Sequence, residues 1–354
     1  MNDRAILLTD GLLNTSDAKT AHGLIRGTDR YTVVGVVDTP TAGQDAGTLL
    51  DGRARNIPIF ASVSDALMQV GPVTCAIVAV ATVGGVLPPT MLTDIEQVLQ
   101  LGLSVVNGLH EFLSDKPELV ALSRQHGGQL IDVRRPKPRH ELYFWTGEIY
   151  QITCPIIAVL GTDCALGKRT TARLIRETCQ QNDLNAQLIY TGQTGWLQGG
   201  QYGFIVDSTL NDFVSGELEH ALVTCWRETS ADLLLIEGQA SLRNPSGPCG
   251  SEFLVSGNAR HVVLVHAPKR THYDHNPAWG RIPSVESEIA LIQGYGSTVI
   301  ALTLNTENCS REEAIAYQQE YADQFGIPVL LPLEEGVGAV LPTIQRLTIT
   351  AHAH

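Results

Sequence analysis

The stretch Val159-Leu160-Gly161-Thr162-Asp163-Cys164-Ala165-Leu166-Gly167-Lys168-Arg169-Thr170-Thr171 decides how the second half of the chain folds. It overlaps an apolar run, Pro155 to Leu160, that predicts a buried strand, and it leads into a helical pattern with Ala172, Ile175 and Cys179 on one face. A loop that begins and ends with glycine and is closed by lysine before a helix is typical of phosphate binding, because backbone N–H groups and the lysine charge face the anion. The pattern therefore predicts a phosphate-binding loop.

This loop differs from the common G-x-x-x-x-G-K-[ST] pattern in two respects. Five residues separate Gly161 from Gly167, and Arg169 occupies the position of the usual Ser or Thr. In the common pattern that hydroxyl binds Mg²⁺. The sequence therefore predicts a phosphate loop with an altered metal position.

Composition and charge restrict the class of protein. The 354 residues suggest about two domains, and 44% hydrophobic with 17% charged residues is typical of a soluble globular protein. The formal net charge of −13 argues against a general nucleic-acid binder. The longest apolar stretch, Cys75 to Leu92, is broken by Gly and Pro pairs and cannot span a bilayer as a helix. With no visible secretory signal and no C-x-x-C pair, we expect a cytoplasmic protein with a small-molecule substrate and no membrane partner.

Strands and helices alternate over the first 135 residues, which predicts a Rossmann-like parallel sheet covered on both faces. Ser16 is the expected N-cap of the first helix. The first turn, Thr9 to Asn14, lacks G-x-G-x-x-G and gives little support for a dinucleotide. Asp38 ends the second strand, where an acid either holds a ribose or caps a turn. The predicted strands are Ala5–Leu8, Thr32–Val37, Ala76–Ala81, Ser104–Val106 and Gln129–Val133, and the predicted helices are Ser16–Arg26, Val63–Val70, Pro89–Leu101 and Lys116–Gln125.

The run Arg134-Arg135-Pro136-Lys137-Pro138-Arg139 is the clearest domain boundary, because its prolines favour extended backbone and its charges favour solvent. We therefore predict a Rossmann-like domain over 1–135, a linker over 136–152 and a P-loop NTPase-like α/β domain over 153–354. The last residues, including His352 and His354, are expected to form a disordered tail.

Polar residues follow two further strands of the second domain. Leu188–Tyr190 leads into Thr191-Gly192-Gln193-Thr194-Gly195-Trp196, a loop with small and amide side chains. Leu233–Ile236 leads into Glu237, at the position where phosphate-loop proteins carry the carboxylate that holds Mg²⁺. A simple turn cap is the alternative for this glutamate. Asp212 begins a helix and shares one face with Glu219.

Together these features resemble the dethiobiotin synthetase branch of P-loop proteins over about residues 155–335. The matching elements are Gly161-Thr162-Asp163, Gly167-Lys168 and Glu237-Gly238. The resemblance implies that Asn305, after a late strand, contacts an adenine.

A closer resemblance spans nearly the whole chain. Asp163 to Thr171, Thr191 to Gly195, Asp212-Phe213 and Glu237-Gly238-Gln239 are together similar to the D-glutamate N-acetyltransferase-like family, in which Arg169 is part of the motif. The resemblance implies a Rossmann-like domain followed by a P-loop domain, and transfer of acetyl from acetyl-CoA to the amino group of D-glutamate or a related acidic amino acid. The chain departs from the family at Ala240 and Asn244, where Gly and His are expected.

For acetyl transfer, the loop would anchor the diphosphate of coenzyme A, with Arg169 supplying fixed charge. The amine must lose a proton, for which Glu237 is the first candidate base and Asp212 the second. Backbone N–H groups or the amides of Gln193 and Gln239 would stabilise the oxyanion. The candidate cations for the substrate carboxylates are Arg243, Lys269, Arg270 and Arg281.

Two alternatives stay open. An ATP/Mg²⁺-dependent ligase or kinase of the dethiobiotin synthetase type would use Lys168 on the γ-phosphate, Glu237 and Asp163 on Mg²⁺, and Thr170 as the displaced hydroxyl. A nucleotide-binding regulator would bind ligand without turnover. His266, His272, His275 and Asp274 lie close in sequence, but they lack helical spacing and cysteine partners, so we expect a substrate-side loop and no metal site.

Across these hypotheses the candidate residues form three groups, and we expect the protein to be a homo-oligomer. The catalytic candidates are Glu237, Asp212 and Lys168; the cofactor-binding candidates are Gly161, Thr162, Asp163, Gly167, Lys168, Arg169, Thr170, Thr171, Gln193 and Asn305; the substrate-binding candidates are Thr194, Gln239, Arg243 and Arg270.

Overall fold

Two parallel sheets, each covered by helices, form the framework of the protein. A computed structural model describes residues 3–352, and within this range each sheet has six strands. The strands of the first sheet are β1 Asp3–Leu8, β2 Tyr31–Val37, β3 Ile59–Phe60, β4 Cys75–Val78, β5 Ser104–Asn107 and β6 Leu130–Asp132. Those of the second are β7 Ile156–Gly161, β8 Ala186–Ile189, β9 Leu233–Glu237, β10 His261–His266, β11 Thr298–Leu304 and β12 Val329–Leu330. The helices are α1 Lys19–Arg26, α2 Ala46–Asp51, α3 Val63–Val70, α4 Met91–Gln100, α5 Pro117–His126, α6 Lys168–Gln180, α7 Gln193–Leu197, α8 Asn211–Thr229, α9 Ser251–Val255, α10 Val285–Gly294, α11 Arg311–Phe325 and α12 Leu341–His352.

The first sheet has the order β3-β2-β1-β4-β5-β6 with parallel pairing throughout. On one face, helices α3, α4 and α5 bury residues such as Ile95 and Leu119 against Ile6. On the other face, α1 and α7 bury Leu24 and Leu197. Both faces are covered because a parallel sheet of apolar strands needs helices on each side.

Asp38 caps a turn in this sheet. Its carboxylate is buried and accepts hydrogen bonds from the Thr9 hydroxyl at 2.7 Å, the Thr41 hydroxyl at 2.6 Å and the Leu13 backbone N–H at 3.1 Å. Thr9 and Leu13 belong to the first strand-to-helix turn, and Thr41 belongs to the 3₁₀ turn that follows Asp38. The turn-capping alternative for Asp38 is therefore the one that the structure supports.

The second sheet has the order β12-β11-β10-β7-β9-β8, also parallel. Helices α6 and α12 pack on one face through residues such as Ile175 and Ile344. Helices α8, α10 and α11 pack on the other through Leu222, Ile292 and Ala314. Strand β7 lies in the interior of the sheet, between β10 and β9. The residues that follow it therefore lie near the middle of the carboxyl end of the sheet.

The chain divides into two compact units. Unit 1 comprises Met1–Pro136 and Gln193–Gly200, and unit 2 comprises Lys137–Gly192 and Gln201–His354. Of the predicted linker, 136–152, all residues after Pro136 are part of unit 2. Two buried glutamates of α8 hold this segment: Glu217 accepts from the Lys137 ammonium at 2.7 Å and the Tyr143 N–H at 2.9 Å, and Glu219 accepts from the Thr146 N–H at 2.6 Å.

The ends of some elements differ from those predicted. Thr15, not Ser16, is the N-cap ahead of α1, because its hydroxyl accepts from the Asp17 N–H and a 3₁₀ turn precedes the helix. Helix α12 continues through His352, so the predicted tail is helical at that residue, and His354 lies outside the described residues. Among residues 3–352, none of the helices combines the length and apolar character needed to cross a membrane.

Candidate phosphate-binding site

The phosphate loop, residues 161–171, lies at the carboxyl end of β7. Strand β7 is buried along its whole length, because helices cover both faces of the sheet. Gly167 is the N-cap of α6 with a φ of 97°, a left-handed conformation that glycine adopts without strain. A Cβ at Gly161 would lie 3.1 Å from the side chain of Lys168. Thr170 and Thr171 fall in the first turn of α6, and Thr171 is buried.

Lys168 is the buried cation of the loop. Its ammonium donates to the backbone carbonyl oxygens of Asp163 at 2.5 Å and Ala240 at 2.7 Å. The side chain is 6% exposed, and burial lowers its pKa to about 8. A bound anion would favour the protonated form. The position thus suits a ligand that carries negative charge.

Asp163 is fully engaged by neighbouring residues. One carboxylate oxygen accepts from the Asn244 amide at 2.9 Å, and the other accepts from the Arg270 guanidinium and the Asp274 N–H, each at 2.9 Å. The residue is completely buried. Arg270 also donates to both carboxylate oxygens of Glu307, at 2.7 and 2.8 Å. Asp163 therefore fixes the loop through this network.

This arrangement changes the predicted roles of two residues. Arg270 was a candidate for binding a substrate carboxylate, but its guanidinium is bonded to Asp163, to Glu307 and to the Cys164 carbonyl. Asp163 was a candidate Mg²⁺ ligand in the ATP-dependent alternative. Its carboxylate already faces the positive charge of Arg270, which disfavours a second cation. Both residues are positioning residues in this structure.

Two further contacts hold the loop from the side of β10 and β11. The Thr162 hydroxyl lies 2.9 Å from Nδ1 of His266, and both side chains are buried. Burial lowers the pKa of His266 to about 4, so its ring is neutral at physiological pH. The Asn305 amide donates to the Leu166 carbonyl at 3.1 Å. The side chain implied to contact adenine therefore supports the loop.

Glu237 lies at the end of β9, beside β7, and is 3% exposed. It accepts from the Thr191 N–H at 3.3 Å, and its carboxylate lies 3.9 Å from the guanidinium of Arg169. Burial raises the pKa of Glu237, and the charges of Arg169 and Lys168 oppose that rise. The group is therefore a carboxyl that accepts a proton more readily than an exposed glutamate.

The segment after Glu237 closes over the lysine. A Cβ at Gly238 would lie 2.0 Å from the Val159 carbonyl oxygen, so only glycine fits there. Gln239 donates to the Thr191 hydroxyl at 2.8 Å. Arg243, a predicted substrate-binding residue, instead donates to the buried carboxylate of Glu288 at 2.8 Å. Its charge is balanced within unit 2.

Three predicted site residues lie in other surroundings. Gln193 and Thr194 belong to unit 1, where Gln193 accepts from Arg134 at 2.9 Å and the Thr194 hydroxyl lies 3.3 Å from that of Thr20. Asp212 is exposed in the first turn of α8, while Glu219 on the same helix is buried.

One group of potential metal ligands occurs among the described residues. Ligand atoms of Asp163, Cys164 and Asp274 lie within 4.8 Å of one another. The Asp163 oxygens are already bonded to donors, including a cation. His275 is exposed and lies 3.5 Å from Glu307, while His266 faces Thr162. The chemistry of this donor set favours a structural network over a metal site.

Sequence patterns do not predict that Asn244 and Glu307 belong to the network around Asp163 and Arg270. Asn244 is 81 positions from its partner Asp163, and Glu307 is 37 positions from Arg270. The only signal for Asn244 was its departure from the expected family residue. An asparagine amide still donates a hydrogen bond, so the carboxylate of Asp163 remains satisfied.

Two family models match successive parts of the chain. The model described as "Domain of unknown function (DUF1611_C) P-loop domain" matches residues 143–341, and that described as "Domain of unknown function (DUF1611_N) Rossmann-like domain" matches residues 39–136. A crystal structure of a DUF1611 family protein from Anabaena variabilis is similar, with a TM-score of 0.88, 28% identity, and coverage of 98% of this chain and 100% of that chain.

Two curated relatives carry the name D-glutamate N-acetyltransferase. The protein from Pseudoalteromonas sp. is 31% identical over 271 residues, which are 75% of this chain and 79% of the relative. The protein from Tritonibacter scottomollicae is 30% identical over 278 residues, which are 77% of this chain and 81% of the relative. These matches confirm the resemblance and the fold class predicted from the sequence. The chain belongs to the DUF1611 family, which joins a Rossmann-like domain to a P-loop domain.

Proposed function

We propose that this protein is an N-acetyltransferase that moves the acetyl group of acetyl-CoA to the amino group of D-glutamate or a related acidic amino acid. The names of two relatives that align over 75% and 77% of the chain support this activity. The structural observation that carries the proposal is the phosphate loop itself. It presents the cations Lys168 and Arg169, and its one buried carboxylate, Asp163, is bonded to Arg270 and Asn244.

The loop residues fit the diphosphate of coenzyme A. The absence of side chains at Gly161 and Gly238 leaves Lys168 close to the backbone, at 3.1 and 3.2 Å from where a Cβ would stand. The N-terminus of α6 adds backbone N–H donors and a favourable dipole. Lys168 and Arg169 would hold the diphosphate. Bound acetyl-CoA supplies the activated acetyl thioester.

Glu237 is the proposed base. An ammonium group cannot attack a thioester, so the acceptor amine must first lose a proton. The raised pKa of Glu237, which burial causes, brings the carboxylate closer in proton affinity to the group that it must deprotonate. Asp212 stays the second candidate, and its exposure leaves its carboxylate in water. Gln239 is held by Thr191 and would orient its amide toward a developing oxyanion.

The ATP-dependent alternative is less well supported by the donor set. Phosphoryl transfer in P-loop proteins needs a hydroxyl and a carboxylate on Mg²⁺. Arg169 stands at the hydroxyl position, and its guanidinium lies 3.9 Å from the carboxylate of Glu237. A cation at that distance competes with a metal ion for the same oxygens.

The direct test incubates the protein with acetyl-CoA and D-glutamate in the presence of EDTA and measures free thiol. We expect thiol release with D-glutamate and with few other acidic amino acids, and we expect acetyl-glutamate by mass spectrometry. Lys168→Ala should lower the rate through weaker cofactor binding, whereas Arg346→Ala, an exposed cation of α12, should not. Absence of release across both enantiomers of glutamate and aspartate would reject the proposal. ATP hydrolysis that EDTA abolishes would favour the alternative.

The role of Glu237 has its own test. Glu237→Gln keeps the size of the side chain but cannot accept a proton, so we expect kcat to fall by about 10²–10⁴-fold. For the unsubstituted protein, kcat/KM should rise with pH through a pKa above the ordinary glutamate value, because only the deprotonated carboxylate acts as base. A glutamine variant with near-normal kcat would remove Glu237 from the mechanism, and Asp212→Asn would then be measured.

A further inference from the structure

A cavity of about 280 Å³ opens in unit 2 beside α10 and α11. One wall is aromatic: Tyr321 and Phe325 are stacked with ring centroids 5.9 Å apart and an interplanar angle of 15°. Ile282 and Pro283 contribute an aliphatic wall. The volume is just below the usual range for ligand pockets, which suits a molecule of amino-acid size.

The charged groups of the cavity are of opposite sign, and neutral polar side chains also line it: Thr271, Ser284 and Gln324. Arg281 and Glu286 line it, and both side chains are exposed. Arg270 also lines the cavity, but its guanidinium is bonded to Glu307 and Asp163. The cavity therefore offers one positive and one negative group to a ligand, next to an apolar body. That combination is complementary to a zwitterion with an apolar side chain.

His266 forms an uncharged inner wall. Its ring lies edge-on to Tyr321, with centroids 5.9 Å apart and an interplanar angle of 81°, and its Nδ1 faces the Thr162 hydroxyl at 2.9 Å. Burial keeps the pKa of His266 low, so the ring adds no charge at physiological pH. The cavity is thus separated from the phosphate loop by one layer of side chains, His266 and Arg270.

We propose that this cavity binds a free amino acid with an aromatic or branched apolar side chain. Arg281 pairs with the carboxylate, Glu286 pairs with the ammonium group, and the side chain packs on Tyr321 and Phe325. A second carboxylate, as in glutamate, would meet no further cation except Arg270, which is already bonded to Asp163 and Glu307. This proposal does not rest on the acetyltransferase proposal.

Calorimetric titration of the full chain tests this site with phenylalanine and leucine in both enantiomeric forms. Two analogues of phenylalanine test its two charged groups one at a time. The first, 3-phenylpropionate, lacks the ammonium group, and the second, phenethylamine, lacks the carboxylate. We expect one enantiomer of phenylalanine to bind with a Kd of about 1 mM or below, and both analogues to bind about tenfold more weakly. Arg281→Ala and Glu286→Gln change exposed residues, and each should weaken the binding of phenylalanine by about tenfold.

Three controls make the outcome decisive. Ile282→Trp should fill the cavity and abolish binding, Arg311→Ala should leave it unchanged because that exposed cation lies outside the cavity, and Lys168→Ala should also leave it unchanged. The proposal is overturned if phenylalanine does not bind up to about 10 mM. It is also overturned if glutamate binds more tightly than phenylalanine. A third contrary outcome is that adenosine 3′,5′-bisphosphate binds and that Ile282→Trp, but not Lys168→Ala, abolishes its binding.

Discussion

Lys168 and Arg270 are both buried cations, but they have different kinds of partner. Arg270 faces carboxylates, Asp163 and Glu307, at 2.7 to 2.9 Å. Lys168 faces carbonyl oxygens, of Asp163 and Ala240, which carry only partial charge. A buried ammonium without a full counter-charge is costly, and its lowered pKa expresses that cost. The loop thus holds its lysine ready for an anionic ligand, while the arginine is already neutralised.

The affinity for coenzyme A should therefore depend on pH through Lys168. In the proposed function the protonated form would bind the diphosphate of coenzyme A, and the free protein loses this proton as pH rises through about 8. We expect the dissociation constant to increase by up to about tenfold for each pH unit above that value. In Lys168→Arg the side chain stays charged, so binding should be nearly flat over the same range. Equal pH dependence in both proteins would contradict the assignment.

Removal of Arg270 should destabilise the phosphate loop by leaving Asp163 as an uncompensated buried charge. We expect Arg270→Met to cost about 3–5 kcal/mol, measured as a lowered urea midpoint for unit 2. Adding Asp163→Asn to that variant should recover part of the loss, because the stranded charge is then gone. If the two substitutions were simply additive, the proposed coupling would be absent.

At the scale of elements, helix α8 shows how a helix can hold an irregular segment with two 3₁₀ turns in place. Glu219 accepts from Thr146 and Ile149, and Gly216 lets the backbone of Tyr143 approach. A Cβ at Gly216 would lie 2.2 Å from the Tyr143 carbonyl oxygen. The close approach explains why 137–152 is not a free linker.

Gly216→Ala should destabilise unit 2 in spite of the better helix propensity of alanine. Propensity alone would favour alanine by about 1 kcal/mol, but the clash with Tyr143 forces the segment away from α8. Gly294→Ala, at the end of α10 where nothing lies within 4 Å of the added Cβ, should stabilise by about 0.4–1 kcal/mol. Thermal unfolding of both variants measures the contrast, and a stabilised Gly216→Ala would refute the packing argument.

The elements that the sequence predicted well are those with local signals. The phosphate loop is marked by two glycines, a lysine and an apolar strand, and β9 by an apolar run before Glu237. The contacts that it could not predict join residues far apart in the chain. Asn244 reaches Asp163 across 81 positions, and Arg134 reaches Gln193 across 59. The hydrophobic period of a helix or strand does not indicate such pairs, because their separation in sequence depends on the tertiary fold.

For the whole molecule, the most informative feature is the segment Gln193–Gly200. The sequence predicts residues 191–196 as a loop of the P-loop domain with Gln193 and Thr194 in its site, yet Gln193–Gly200 belongs to unit 1. Leu197 is completely buried with Ala21 and Val106, and Gln198 donates to the carbonyl oxygens of Gly23 and Gly27, each at 2.8 Å. The segment supplies a helix to the face of the first sheet that α1 covers only in part.

Unit 1 should therefore depend on residues that follow β8 of unit 2. Leu197→Ala removes a completely buried side chain from the first core, and we expect a loss of about 2–5 kcal/mol in unit 1. Hydrogen exchange of the full chain should show reduced protection in β1, β4 and β5, with β7 and β10 unchanged. Leu210→Ala, 55% exposed and in unit 2, is the matched control and should alter neither sheet. Equal loss of protection in both sheets would mean that the segment serves unit 2 as well, and the division of the chain would need revision.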